Sequence, residues 1–207
     1  MFKLSIKESP LIRFKLNQLV TLKPKAAGVT VWEKTFFCHL NLRGDPEDKK
    51  FLDAATGVLG CELPLKPNTT ASSGESTVYW LGPNEWLIVL PEHQAESTTQ
   101  GLRHAMGGLF FALTEVSGGQ TIVVICGDKA IDVLAKGCSL DLHPREFSVG
   151  DCAQSHLGKA PIFLHKMNDG PTFELVVRRS FSDYFWLWLE AATAEYGLQV
   201  ANSITSQ

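Results

Sequence analysis

The sequence predicts an α+β fold built from two pseudo-repeated β-α-β-β-α halves, each a split βαβ unit of the ferredoxin-like kind. Two observations predict it. Apolar residues switch between a two-residue and a 3.6-residue period in the same order twice along 207 residues. Short motifs also recur at matching places: Gly44-Asp45 with Gly127-Asp128 where a strand meets a helix, Gly60-Cys61 with Gly137-Cys138 where that helix ends, and the hairpin around Gly82-Pro83 with that around Gly170-Pro171. Each half leaves one sheet face apolar, and packing the halves together buries it.

The elements follow in order. Residues 1–28 are a basic arm or strand segment, with Lys3, Lys7, Arg13, Lys15, Lys23 and Lys25 against Glu8 alone. Phe2, Leu4 and Ile6 alternate, as do Ile12, Phe14 and Leu16, so parts of it can pair as strands. Residues 29–200 form the two halves, about 30–110 and 111–200, and 201–207 are a tail. Phe36 to Leu42 reads as a strand, with Asp45 as N-cap and Pro46 at the first helical position. That helix buries Phe51, Leu52, Ala55, Val58 and Leu59 and stops at Gly60. Residues 66–77 are a polar loop; the hairpin Val78–Leu81 and Trp86–Leu90 and a helix from about Gln94 to Met106 close the half. The second half runs through strand Thr121–Cys126, a helix burying Ile131, Leu134 and Ala135, strands Cys152–Leu157, Ala160–His165 and Thr172–Val177, and a last helix. Ser180 is expected to cap that helix, with Asp183 completing a capping box.

Composition restricts function. The chain is 44% hydrophobic and 20% charged with net charge −3, so it lacks the basic excess of a nucleic-acid binder. The start is broken by Lys3, Lys7 and Glu8, which is no signal-peptide core, and no apolar run reaches the ~20 residues of a membrane span; the expectation is a cytoplasmic protein. The five cysteines, Cys38, Cys61, Cys126, Cys138 and Cys152, include no Cys-x-x-Cys pair and read as small buried hydrophobes, not zinc ligands.

No catalytic, cofactor-binding or metal-binding residue is assigned. Gly118-Gly119 is a tight turn and not a dinucleotide fingerprint. His39, His156 and His165 alternate within strands, as surface or hydrogen-bonded core residues. Arg178 and Arg179 sit where an anion could meet the last helix's start, although a pair on opposite strand faces is commoner. On that helix Phe181, Tyr184, Phe185, Trp188, Leu189 and Ala192 share one face, which is core. Trp186 and Leu187 fall outside it. They mark either a protein partner or cover by the chain's own N-terminal segment, and the partner is the favoured reading. The candidate interface is thus Trp186 and Leu187 with Phe2, Leu4 and Ile6.

Four stretches, Leu81 to Val89, Thr114 to Thr121, Cys138 to Pro144 and Phe181 to Trp188, together resemble the gamma subunit of heterotetrameric sarcosine oxidase. The resemblance implies membership of an enzyme that oxidatively demethylates sarcosine to glycine, giving hydrogen peroxide and either formaldehyde or 5,10-methylenetetrahydrofolate. It implies that FAD, FMN, NAD and tetrahydrofolate belong to the alpha and beta subunits and zinc to the delta subunit. It makes these subunits the partners, alpha foremost, and leaves a structural role here. It also implies a fold similar to the folate-binding part of the glycine-cleavage aminomethyltransferase family. The alternative is a stand-alone folate-binding one-carbon protein, with Glu115 or Asp151 as the acid for a pterin edge and Trp80 or Trp86 as its wall.

Overall fold

Two antiparallel-rich sheets lie face to face between two layers of helices. The computed structural model describes residues 7–20 and 27–202. In chain order the regular elements are α1 (Leu16–Leu19), β1 (Val29–Lys34), β2 (Phe37–Gly44), α2 (Lys49–Leu59), β3 (Thr70–Ser73), β4 (Ser76–Gly82), β5 (Glu85–Pro91), α3 (Ala95–Ala105), β6 (Phe111–Glu115), β7 (Gln120–Cys126), α4 (Ala130–Ala135), β8 (Cys152–Leu157), β9 (Ala160–Lys166), β10 (Phe173–Arg178), α5 (Ser182–Thr193) and β11 (Leu198–Val200). The first sheet has the order β3-β4-β5-β2-β6, and the second β11-β1-β7-β10-β9-β8.

The duplication is visible in this order. Within each half the order is β-α-β-β-β-α, one edge strand (β3 or β8) more than the expected β-α-β-β-α, and it is closed by a further strand, β6 or β11. The core order β4-β5-β2-β6 matches β9-β10-β7-β11, except that β1 is wedged between β7 and β11. β1 pairs antiparallel with β7 and parallel with β11.

Strand alternation sorts side chains into three cores. Cys38, Leu40, Leu42, Trp86, Ile88 and Leu90 meet Phe51, Ala55, Leu59, Leu102 and Met106 from α2 and α3. Val123, Ile125, Leu175 and Val177 meet Val133 and Leu134 of α4 and Phe185, Trp186 and Leu189 of α5. Tyr79, Leu87, Val89, Ile122, Phe163 and Val176 fill the layer between the sheets. The repeated glycines are sterically required. A Cβ on Gly44 would lie 2.3 Å from the Phe51 ring, and Gly127, at φ +115, would put one 2.5 Å from the Gly28 carbonyl.

Several expectations are corrected. Ile12–Phe14 is a 3-10 turn leading into α1, not a strand, because Lys15 at φ 49 breaks the extended path. Asp48, not Asp45, caps α2 by accepting from the Lys50 N–H; Asp45 accepts from the Glu47 N–H in the preceding turn. The polar loop contains the edge strand β3. In α4 the buried residues are Ala130, Val133 and Leu134, while Ile131 is partly buried and Ala135 exposed. A 3-10 turn at Arg179–Phe181 precedes α5, which has no side-chain cap; Asp183 instead pairs with Arg13.

The largest correction concerns the last helix. Trp186 is fully buried, with Phe185, Leu189, Ala192 and Thr193, whereas Tyr184 is partly exposed and Leu187 is 52% exposed. The inward arc is shifted toward Trp186 because α5 is covered from two sides. The sheet covers one flank and residues 9–14 cover the next, with the Phe14 ring 5.9 Å from that of Trp186. Phe2, Leu4 and Ile6 lie outside the described residues.

Candidate functional site

The N-terminal segment is fixed to the second half by a set of polar contacts. Ser9 Oγ donates to Glu33 Oε2 at 2.5 Å, and Thr121 Oγ1 donates to Glu33 Oε1 at 2.5 Å. Arg13 Nη1 meets Asp183 Oδ2 at 2.5 Å, and Ser182 Oγ donates to the Pro10 carbonyl at 3.3 Å. Arg179 donates both terminal nitrogens to the Glu8 carbonyl, so it holds the chain's own backbone in the place considered for an anion. Lys7 crosses to the first half and pairs with Glu92.

Where this segment turns away, a cleft of about 730 Å³ opens between the halves. Its walls come from residues 7–10, the β1–β2 turn at Phe36, the start of α3 and the β6–β7 connection. Phe36 is held at φ 61 and is 49% exposed, a left-handed conformation uncommon for a bulky side chain. His39 lines the cleft, is 2% exposed, and has neither ring nitrogen in a hydrogen bond. Burial lowers its pKa to about 4, the nearby Ser117 backbone offsetting this only in part, so the ring is neutral near pH 7. It is therefore not the satisfied core histidine expected. Gln120 Oε1 is likewise buried without a partner, and Gln120 also lines a second cleft of about 600 Å³ on the other side.

Between the sheets lies a polar cluster that sequence spacing does not reveal. Glu174, 3% exposed, accepts from Lys34 Nζ and from Tyr79 Oη at 2.8 Å, with His165 Nδ1 3.4 Å away. Burial alone would push its pKa up. The His165 hydrogen bond and the Lys34 charge outweigh burial and hold it down at about 2. The same carboxylate, after burial itself, drives the Tyr79 phenol well above its ordinary range.

The other candidates are dispersed. Trp86 is fully buried on the helix side and donates Nε1 to the Pro64 carbonyl at 2.8 Å. Glu115 lines the first cleft, but Asp151, Trp80 and Trp86 do not, so the residues proposed for a pterin are not brought together. Burial raises the pKa of Cys38, Cys61 and Cys126, and that of Cys152 to about 12, which opposes thiolate chemistry. Among the described residues no group of three or more His, Cys, Asp or Glu is placed to hold a metal. No helix among them is long and apolar enough to cross a membrane.

The family model described as SoxG, sarcosine oxidase gamma subunit family, matches residues 43–195. The sarcosine oxidase subunit gamma of Corynebacterium sp. (strain U-96) is 33% identical over 171 residues, covering 81% of this chain and 80% of that protein. That of an Arthrobacter species is 29% identical over 172 residues, 83% of each. A chain of the heterotetrameric sarcosine oxidase from Corynebacterium sp. U-96, solved with pyrrole 2-carboxylate, superimposes with a TM-score of 0.81 at 26% identity, covering 92% of this chain and 96% of that one. The glycine cleavage system aminomethyltransferase T of Bartonella henselae shares the fold, with a TM-score of 0.68 at 13% identity over 95% of this chain and 60% of its own. The chain belongs to the sarcosine oxidase gamma subunit family.

Proposed function

We propose that this chain is the gamma subunit of a heterotetrameric sarcosine oxidase and serves there as a structural subunit, without a catalytic residue of its own. The observation that supports this most is the fold match to a chain of the solved heterotetramer, which extends over 96% of that chain. The assembled enzyme demethylates sarcosine oxidatively to glycine. Its FAD, FMN, NAD, tetrahydrofolate and zinc sit on the sister subunits, in the cytoplasm.

The physical role is burial. A subunit of this kind adds stability by covering apolar surface on a neighbour, at about 25 cal/mol per Å² before the costs of association are subtracted. Leu187, half exposed on the outer face of α5, is the described member of the proposed contact, with the alpha subunit as its main partner. Trp186 supports it only indirectly, by fixing the helix beneath. Co-expression with an alpha subunit tests the reading. Wild type is expected to co-purify, and Leu187→Asp to fold normally but co-purify poorly. A well-behaved monomer that never retains the alpha subunit contradicts it.

A further inference from the structure

The repeat shows what kind of object the 730 Å³ cleft accepts. α3 and α5 occupy equivalent places in the two halves, and each is preceded directly by a three-residue 3-10 turn, Glu92–Gln94 and Arg179–Phe181. Counted from these turns, the same positions border the cleft in one half and the N-terminal segment in the other. The turn's first residue is Glu92 or Arg179; the helix's first, second and fifth residues are Ala95, Glu96 and Thr99, or Ser182, Asp183 and Trp186. In the second half every polar member of that set holds the segment. Arg179 grips the Glu8 carbonyl, Ser182 the Pro10 carbonyl and Asp183 the Arg13 guanidinium, while Trp186 packs on Phe14. In the first half Ala95, Glu96 and Thr99 line the cleft.

We infer that this cleft is the docking groove for an extended segment of a sister subunit, held along α3 as residues 8–14 are held along α5. The inference rests on the subunit role proposed above and gives it a place. Two features suit a peptide. Glu96 stands where Asp183 receives Arg13, so the segment carries Arg or Lys at that point. Thr99 replaces the bulky Trp186, and the freed space beside Phe36 takes an apolar side chain of the incoming segment. Acids and bases otherwise nearly balance around the cleft, with Lys7, Lys34 and Arg179 against four glutamates, so no strongly charged small ligand is favoured.

The test uses the chain co-expressed with the alpha, beta and delta subunits. A photo-crosslinking residue at Thr99 is expected to join one segment of a sister subunit containing Arg or Lys. Thr99→Trp, which fills the groove as Trp186 fills its counterpart, and Glu96→Arg are each expected to weaken assembly at least about tenfold, the effect of losing one or two buried contacts, with Tm unchanged. Three results overturn the inference: crosslinks only to residues 1–6 of the same chain, crosslinks only to a second copy of it, or full assembly of both variants without any crosslink. Failure of the wild-type chain to assemble at all would instead refute the subunit role itself.

Discussion

The two halves share a topology but not a way of closing it. In the first, β6 pairs directly with β2, and α3 carries a mostly polar sequence of which only Leu102 is buried. In the second, β1 enters the sheet and residues 9–14 lie over α5, which buries six residues including Trp186. The lesson is that a repeated fold can become asymmetric through what covers it. The N-terminal segment converts one flank of α5 from surface to core, and the equivalent flank of α3 stays open as a cleft.

The largest expected effect breaks the comparison at the fifth position of each helix. Trp186→Ala should cost about 3–5 kcal/mol, because a large buried side chain leaves a cavity. Thr99→Ala should change stability by less than about 0.5 kcal/mol; chemical denaturation of both variants measures the contrast.

Acid should next expose a difference between the sheets. His39, on the first sheet, has its pKa depressed from 6.5 to about 4, so the fold resists a proton that the unfolded chain takes up. Stability therefore falls as pH drops from 6.5 toward 4. Glu174, on the second sheet, is depressed from 4.5 to about 2, so its contribution is present above 4.5 and is lost as pH falls through 2. Each window spans on the order of 3 kcal/mol. In melting curves measured against pH, His39→Leu should flatten the upper window and leave the lower one.

A smaller effect probes one of the bonds joining the sheets. Tyr79→Phe removes a hydrogen bond to the buried Glu174 carboxylate and should cost about 1.5–3 kcal/mol by denaturation. The smallest effect on the isolated chain is that of Leu187→Asp, within about 0.5 kcal/mol of wild type; its consequence should appear only in assembly.

The strand-helix rhythm, the turn at Gly82–Glu85 and the helix stop at Gly60 were readable because each depends on neighbouring residues. The inward arc of α5 was not. Periodicity identifies one buried face, whereas Trp186 also packs against Phe14, far away in the chain. Asp45 looked like a cap because it does accept a backbone N–H, that of Glu47, one turn before the helix begins. β3 was hidden by its polarity, as a short edge strand reading Thr-Ala-Ser-Ser. The candidate groove was invisible for a related reason. Its residues come from the N-terminal segment, the β1–β2 turn, α3 and the β6–β7 connection, and only the repeat of the fold lines them up with a filled counterpart.

Native mass spectrometry of this chain co-expressed with alpha, beta and delta subunits tests the central claim most directly. The account predicts one particle holding a single copy of each subunit, and loss of that particle's stability when this chain is omitted. A complete, stable enzyme that forms without it, while this chain elutes alone, would contradict the account.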